Sequence, residues 1–420
     1  MTDVPEAPHT GDAQRAHAPH RMDPSGAGQH AVNERLRARG PAVPVTLPGE
    51  VEAYAVTGHA ELREFLTDPR VAKHARHFTA LQEGRVPEGW PLAVFATVEG
   101  MTTADGADHR RLRGLVSKAF TVRRVESLRP RVAELAASLL DALPRAADAD
   151  ATVDLREHFA YPLPMGVISE LLGVEPALRD RLHHLSGVLV STSSEPAEVI
   201  AANREIVQVL AQVVAARRAA PGDDLTSALV AARETDGDRL SETELVGTLL
   251  LMIVAGHETT LNLITNAVRA LCAHPAQLAL VRGGSASWDD VVEETLRYDS
   301  PVSYFPFRYP TADLAVGGTV IPAGTPVLAG YSSAGRDPRT YGEDAAVFDV
   351  TRADKRHLSL GHGPHFCLGA PLARMEAAIA LEALFARHPD LGLAVPEGEL
   401  TPLPSFVGNS TRTLPVRLGG

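Results

Sequence analysis

Between residues 245 and 264 apolar side chains fall on every side of a helical wheel, the pattern of a helix buried all round rather than one lying on a surface. Helical spacing also predicts long helices over residues 125–143, 199–218, 245–273 and 370–387. Short alternating or β-branched runs predict strands near residues 51–56 and 314–328, so helices should clearly outnumber strands. Leu368, Leu372, Met375 and Ile379 recur at helical spacing just after Cys367, which places that cysteine at or just before a helix N-terminus.

Composition narrows the class. The chain has 420 residues and a formal net charge of -12, which argues against general nucleic-acid binding. No internal repeat, Pro/Gly/Ser-rich linker or charge block divides the chain after its start. Residues 1–30 are expected to be a disordered tail, because they lack the apolar core of a signal peptide, and 31–420 to be a single domain. No hydrophobic span approaches the roughly 20 residues needed to cross a bilayer, so no membrane partner is expected. The two cysteines are isolated in sequence and form no disulfide scaffold, which implies a cytoplasmic location, with Cys272 a buried structural thiol.

Cys367 is the best metal-ligand candidate. It closes the glycine-punctuated stretch GHGPHFCLG, residues 361–369. Gly361 and Gly363 permit backbone shapes closed to other residues, and Gly369 removes a side chain where a flat cofactor could lie close. The helix dipole and free N–H groups favour a thiolate there, and such a thiolate can be the axial ligand of a haem iron. A small buried hydrophobe is the bland reading of Cys367. Zinc is a competitor, since His357, His362 and His365 lie nearby, but the chain has no C-x-x-C pair.

This loop, read as LGHGPHFCLG, resembles the haem-binding signature of the cytochromes P450, with Leu360 where the family most often has Phe. The resemblance extends to Ala255-Gly256-His257-Glu258-Thr259-Thr260, which is similar to the family's oxygen-activation segment. There Ala255 and Gly256 would leave room for dioxygen, and Glu258 and Thr259 would relay protons. The alternative is that Thr259 bonds back to the Ala255 carbonyl and Glu258 pairs with a nearby cation. Glu294 and Arg297, three apart on one helical face, would be an ordinary surface ion pair in isolation; with Arg352 they resemble the family's buried Glu-Arg-Arg network. The resemblance further implies that Cys367 ligates the iron of haem b, with Gly361, Phe366 and Gly369 around it, and that His109, Arg113, Arg308 and His365 hold the propionates. Stretches such as DGADHRRLR and YPLPMGVISELLGV look like the actinobacterial family 154, and Gly335 stands where bacterial relatives usually carry Asn.

The fold so implied is mainly α with a smaller β region, haem lying between the central helix and the cysteine-loop helix. The implied activity is a monooxygenase inserting one atom of dioxygen into a C–H bond of a bulky hydrophobic molecule, steroid-like or macrolide-like. Pocket walls would come from Trp90, Leu92, Phe95, Leu251, Val254, Ala255, Val302, Tyr304, Phe406 and Val407. The chain has no Gly-x-Gly-x-x-Gly turn after a strand and no room for a flavin domain, so electrons come from outside. The family implies NAD(P)H, a ferredoxin reductase and a ferredoxin, for which Arg110, Arg111 and Lys118 offer a basic patch. Oxidative C–C or C–N coupling of aromatic products such as cyclic dipeptides is a second reading, and a non-enzymatic haem-thiolate sensor a third.

Overall fold

The computed structural model describes residues 18–232 and 239–419. Ten helices carry the argument: α1 (Gln29–Arg39), α2 (Ala93–Thr97), α3 (Gly106–Ala119), α4 (Arg129–Ala146), α5 (Pro162–Leu172), α6 (Arg179–Val190), α7 (Pro196–Ala219), α8 (Glu242–Ala273), α9 (Trp288–Tyr298) and α10 (Ala370–Arg387). The four long helices expected from periodicity correspond to α4, α7, α8 and α10.

Helix α8 is the axis of the molecule. Ser241 and Glu244 form a reciprocal capping box at its start, which satisfies N–H groups that would otherwise have no partner. With 32 residues it runs about 48 Å. Helices α5, α7, α9 and α10 all pack against it, and one large hydrophobic core surrounds it. A second capping box, Ser287 with Asp290, starts α9.

The expectation that no segment is long and apolar enough to span a bilayer is corrected here. Both α7 and α8 meet that length-and-composition criterion. In α8, 67% of the most apolar stretch is buried inside the protein, against 33% in α7. The apolar faces of α8 are thus used mainly by the core, as its all-round pattern predicts.

The β region is a six-stranded sheet in the order β1 (His20–Arg21), β2 (Ala42–Leu47), β3 (Val51–Val56), β9 (Val327–Gly330), β6 (Tyr304–Pro310) and β4 (Val71–Ala72). Two small sheets accompany it: β7 (Leu314–Val316) with β8 (Thr319–Ile321), and β10 (Gly392–Leu393) with β11 (Pro415–Arg417) and β5 (Thr152–Asp154). The expectation of a disordered tail through residue 30 is corrected for residues 20–21 and 29–30, which lie in regular elements. His20 and Arg21 pair with Val45 and Thr46, and α1 begins at Gln29; residues 1–17 lie outside the described residues. A separate apolar cluster fills the space between the sheet and the segment before α3, and it includes Phe78, Trp90, Leu92, Tyr304, Phe307, Phe406 and Val407.

Candidate functional site

The cysteine loop has the shape its glycines allow. Gly361 and Gly363 take φ of 77° and 73°, the left-handed region that side chains disfavour. A Cβ on Gly363 would stand 2.8 Å from the Thr67 methyl, and one on Gly369 would meet only the Cys367 sulfur, at 3.9 Å. Space above Gly369 is therefore open to a flat group. The Cys367 N–H donates to the Leu360 carbonyl at 2.8 Å, closing the loop, and α10 follows from Ala370. Burial pushes the Cys367 thiol above its usual range and outweighs the opposing backbone N–H groups of Gly369 and Ala370 and the charges of Arg113 and Arg374. The backbone N–H groups at the helix start thus act in the expected direction, favouring the thiolate, with burial opposing them.

Around the loop gathers a set of basic groups. The rings of His109 and His365 stand 4.1 Å apart, centre to centre. Arg113 donates to the Phe366 carbonyl at 2.7 Å. Arg308 is buried with Nη1 lacking a partner, and His109 Nε2 is likewise buried and unpartnered. Lys73, which the sequence reading missed, joins them. It is buried, its Nζ donates to the Phe307 carbonyl at 2.7 Å, and it lies 5.1 Å from the centre of the Phe305 ring. Burial, then His109, Lys73, Arg308 and Arg113, push His365 down to about 2. Burial and Arg308 hold Lys73 well below the usual lysine range. Asp105 lies close, but its two oxygens accept from the backbone N–H groups of Lys73 and His74. Basic side chains with unpartnered donors at Arg308 and His109, beside an open glycine ledge, form a receptor for a planar dianion, and the two propionates of haem match that requirement. No local periodicity marks Lys73; only the fold brings it here.

Behind the loop, Arg297 and Glu294 are completely buried and joined by two parallel hydrogen bonds of 2.8 and 2.7 Å. Arg297 also donates to the carbonyls of Gly335, Ala345 and Val347. Arg352 Nε lies 3.5 Å from Glu294, and Asp349 N–H donates to the same carboxylate at 2.8 Å. A Cβ on Gly335 would fall 2.0 Å from the Arg297 carbonyl oxygen. Glycine is the residue this network admits there.

On α8, Leu251, Ala255 and Thr259 share a face at four-residue spacing. Ala255 is exposed although most of its helix is buried, so this face opens on a cleft. Thr259 Oγ1 donates to the Ala255 carbonyl at 2.7 Å. Glu258 turns the other way, toward α6, where its Oε1 lies 3.3 Å from His183 Nδ1 and 3.2 Å from His257 Nε2. Burial opposes its ionisation, yet the hydrogen bonds of His183 and His257 prevail and hold the carboxyl well below the usual range. A Cβ on Gly256 would stand 2.9 Å from two Ile168 carbons, so its smallness also serves the packing of α5 against α8.

The expected pocket walls divide. Leu92 and Tyr304 are 0% and 1% exposed, which no cavity-lining side chain can be. Trp90 stacks on Phe307 at 5.4 Å and donates to the Pro48 carbonyl; the Tyr304 hydroxyl donates to Asn33. With Phe406 and Val407 these residues pack into the core of the β region, and of this group Trp90 also borders a concavity. Phe95, Leu251, Val254 and Val302 remain half-buried. A concavity of about 710 Å³ lies between the segment carrying α2 and helix α7, lined by Trp90, Ala93, Val94, Ile200, Val207 and Leu250 among others.

One further expectation changes: of the basic patch, Arg111 pairs with Glu244 at the start of α8, while Arg110 and Lys118 are exposed. At the cysteine loop, His357 meets Glu293 at 3.3 Å and His365 meets His109, which gives the zinc alternative no support. Cys272 is a free thiol, pushed up to about 12 by burial.

A sequence profile of the cytochrome P450 family matches residues 288–388. The chain is 42% identical over 407 residues to a 2-hydroxy-5-methyl-1-naphthoate 7-hydroxylase of Streptomyces carzinostaticus, covering 96% of this chain and 98% of the relative. It superposes on testosterone-bound CYP154C4 from Streptomyces sp. ATCC 11861 with a TM-score of 0.92 and 46% identity, covering 96% of this chain and 98% of that one. For CYP154A1 from Streptomyces coelicolor A3(2) the TM-score is 0.89 and the identity 48%, over 95% of this chain and 100% of that one.

Proposed function

The chain belongs to the cytochrome P450 family and is a haem-dependent monooxygenase of it; from that premise we propose that it hydroxylates a bulky, hydrophobic, fused- or large-ring molecule of steroid-like or macrolide-like type. The observation that carries the site assignment is the cradle of basic side chains, Lys73, His109, Arg113, Arg308 and His365, beside the open ledge at Gly369, which fits haem propionates and the ring edge. Cys367 would hold the iron, and the Glu294-Arg297-Arg352 network fixes the scaffold behind it. When bound, haem supplies the one-electron chemistry that reduces dioxygen and delivers one oxygen atom to a C–H bond.

The remaining steps belong to side chains. Glu258 is reached from the protein edge through His183, whose side chain is 31% exposed, so a proton has an entry to the buried carboxylate. Thr259 holds its hydroxyl hydrogen on the Ala255 carbonyl and releases it to donate into the cleft. Ala255, Leu251 and Val254 leave that face apolar, and a dry wall favours a substrate with little polarity to desolvate. The concavity between the α2 segment and α7, with exposed Ile200 and Val207 on its rim, offers such a molecule a route inward. Support for ring systems comes from the names of the matched proteins, one a naphthoate hydroxylase and one a testosterone complex.

Electrons reach the family from a redox partner. A ferredoxin with its NAD(P)H-dependent reductase is the proposed route, docking near exposed Arg110 and Lys118. Two free thiols suit a reducing cytoplasm. The test is a titration of the ferric holoenzyme with steroids, macrolide aglycones and small polar controls, read by haem spin state. Turnover under labelled dioxygen follows, with mass analysis of the product. Spin conversion by ring compounds and a single labelled oxygen in product are expected. Conversion by the polar controls alone would overturn the substrate class, and unlabelled product would overturn hydroxylation.

A further inference from the structure

Among the described residues, the one group of three His, Cys, Asp or Glu side chains whose donor atoms all lie within 4.8 Å of one another is His183, His257 and Glu258. It lies away from the cysteine loop, between α6 and α8. We propose that these three side chains form a binding site for a zinc-class divalent cation, with His183 Nδ1, His257 Nε2 and Glu258 Oε1 as donors and one position open to water.

Geometry carries the case. The three separations are 3.0, 3.2 and 3.3 Å. A tetrahedral ion with bonds of about 2.0–2.1 Å keeps its donors about 3.3 Å apart, so the triad already forms one face of that tetrahedron. The ring of His257 is set for the task. Its Nδ1 lies 2.6 Å from the Ile253 carbonyl, which can only accept, so Nδ1 carries a hydrogen and it is Nε2 that faces the other two donor atoms. A ligating histidine commonly has such an outer bond, from its second nitrogen to a backbone carbonyl.

His183 is held in the same way from outside. Its ring stacks on Tyr161 with centroids 3.9 Å apart, and the Tyr161 hydroxyl donates to Asp180 at 2.7 Å. His257 is fully buried and Glu258 nearly so, whereas the His183 side chain is 31% exposed. The site therefore has a rigid inner pair and one door. Two imidazoles and a carboxylate match zinc or cobalt(II), not magnesium or calcium, which prefer oxygen donors. The site needs no occupant in the haem cleft, but it shares His183 and Glu258 with the proton route proposed above, so a bound cation and proton entry there exclude one another.

The experiment is equilibrium dialysis of chelator-washed, tag-free holoenzyme against Zn2+, with metal and haem iron quantified together, for the native chain, His183→Ala and Glu258→Gln. One Zn2+ per haem is expected in the native protein. Loss of even an outer partner of a ligand costs 10–100-fold in affinity, so each variant should weaken that site by at least about tenfold. The haem absorption spectrum checks that each variant is folded, and Glu258→Gln keeps the side-chain shape should His183→Ala disturb α6. The proposal is overturned if the native protein retains no more Zn2+ than the variants, or if Mg2+ displaces Zn2+ at equal concentration.

Discussion

Glu294 and Arg297 face each other through two parallel hydrogen bonds with no solvent reaching either side chain, and Arg297 spends its remaining donors on three carbonyls from the chain between Gly335 and Val347. Lysine can supply the charge but not this planar fork. Arg297→Lys should therefore leave buried carbonyls and a buried carboxylate short of donors. Removing one partner of a buried pair costs about 3–5 kcal/mol, and we expect a loss toward the lower end, read as a fall in thermal midpoint with reduced haem content on purification. An unchanged midpoint would show that the fork is dispensable.

Gly256 gives a test of packing against groove. Gly256→Ala should cost about 1–3 kcal/mol, the usual range for overpacking, because the new methyl meets Ile168 at 2.9 Å. Trimming the neighbour in the double variant Gly256→Ala/Ile168→Ala should give back most of that loss, measured as a non-additive pair of unfolding free energies. Strict additivity would place the cost in the cleft instead.

Acid should loosen the cysteine-loop scaffold over a defined window. Burial raises the Glu293 carboxyl, but hydrogen bonds from His357 and Arg374 prevail and hold it at about 2. A carboxyl depressed in the folded state contributes stability above its unfolded value, near 4.5, and loses it as pH falls toward 2. Glu293→Gln should flatten the pH dependence of unfolding between those limits while leaving the curve's shape above pH 6 alone.

Thr259→Ala removes the one hydroxyl on the Leu251–Ala255–Thr259 face. Consumption of reduced nicotinamide should continue, with more of it ending as hydrogen peroxide and less as hydroxylated product, measured as peroxide formed per product. Coupling equal to that of the native enzyme would remove Thr259 from proton handling.

Local chemistry made much of this readable from the sequence. Gly361, Gly363 and Cys367 announced a loop with left-handed turns ahead of a helix, and α10 starts three residues after the cysteine. The all-round apolar pattern of residues 245–264 announced a buried helix, and α8 is that helix. What escaped depends on chain segments far apart. Lys73 reaches the cradle because β4 pairs with β6, and His183 meets Glu258 because α6 packs on α8; no spacing within either segment encodes those contacts. Trp90 and Tyr304 look like substrate-facing aromatics in isolation. Their stacking and hydrogen-bond partners, Phe307 and Asn33, are supplied by other strands and helices.

The cradle of basic groups has a consequence for the durability of the polypeptide. Around Lys73 and His365 two buried donors, Arg308 Nη1 and His109 Nε2, stand without a partner, and the nearby Asp105 spends its oxygens on backbone N–H groups. A dianion held there would satisfy those donors and so favour the folded chain. Resistance to heat should therefore rise with pigment supply.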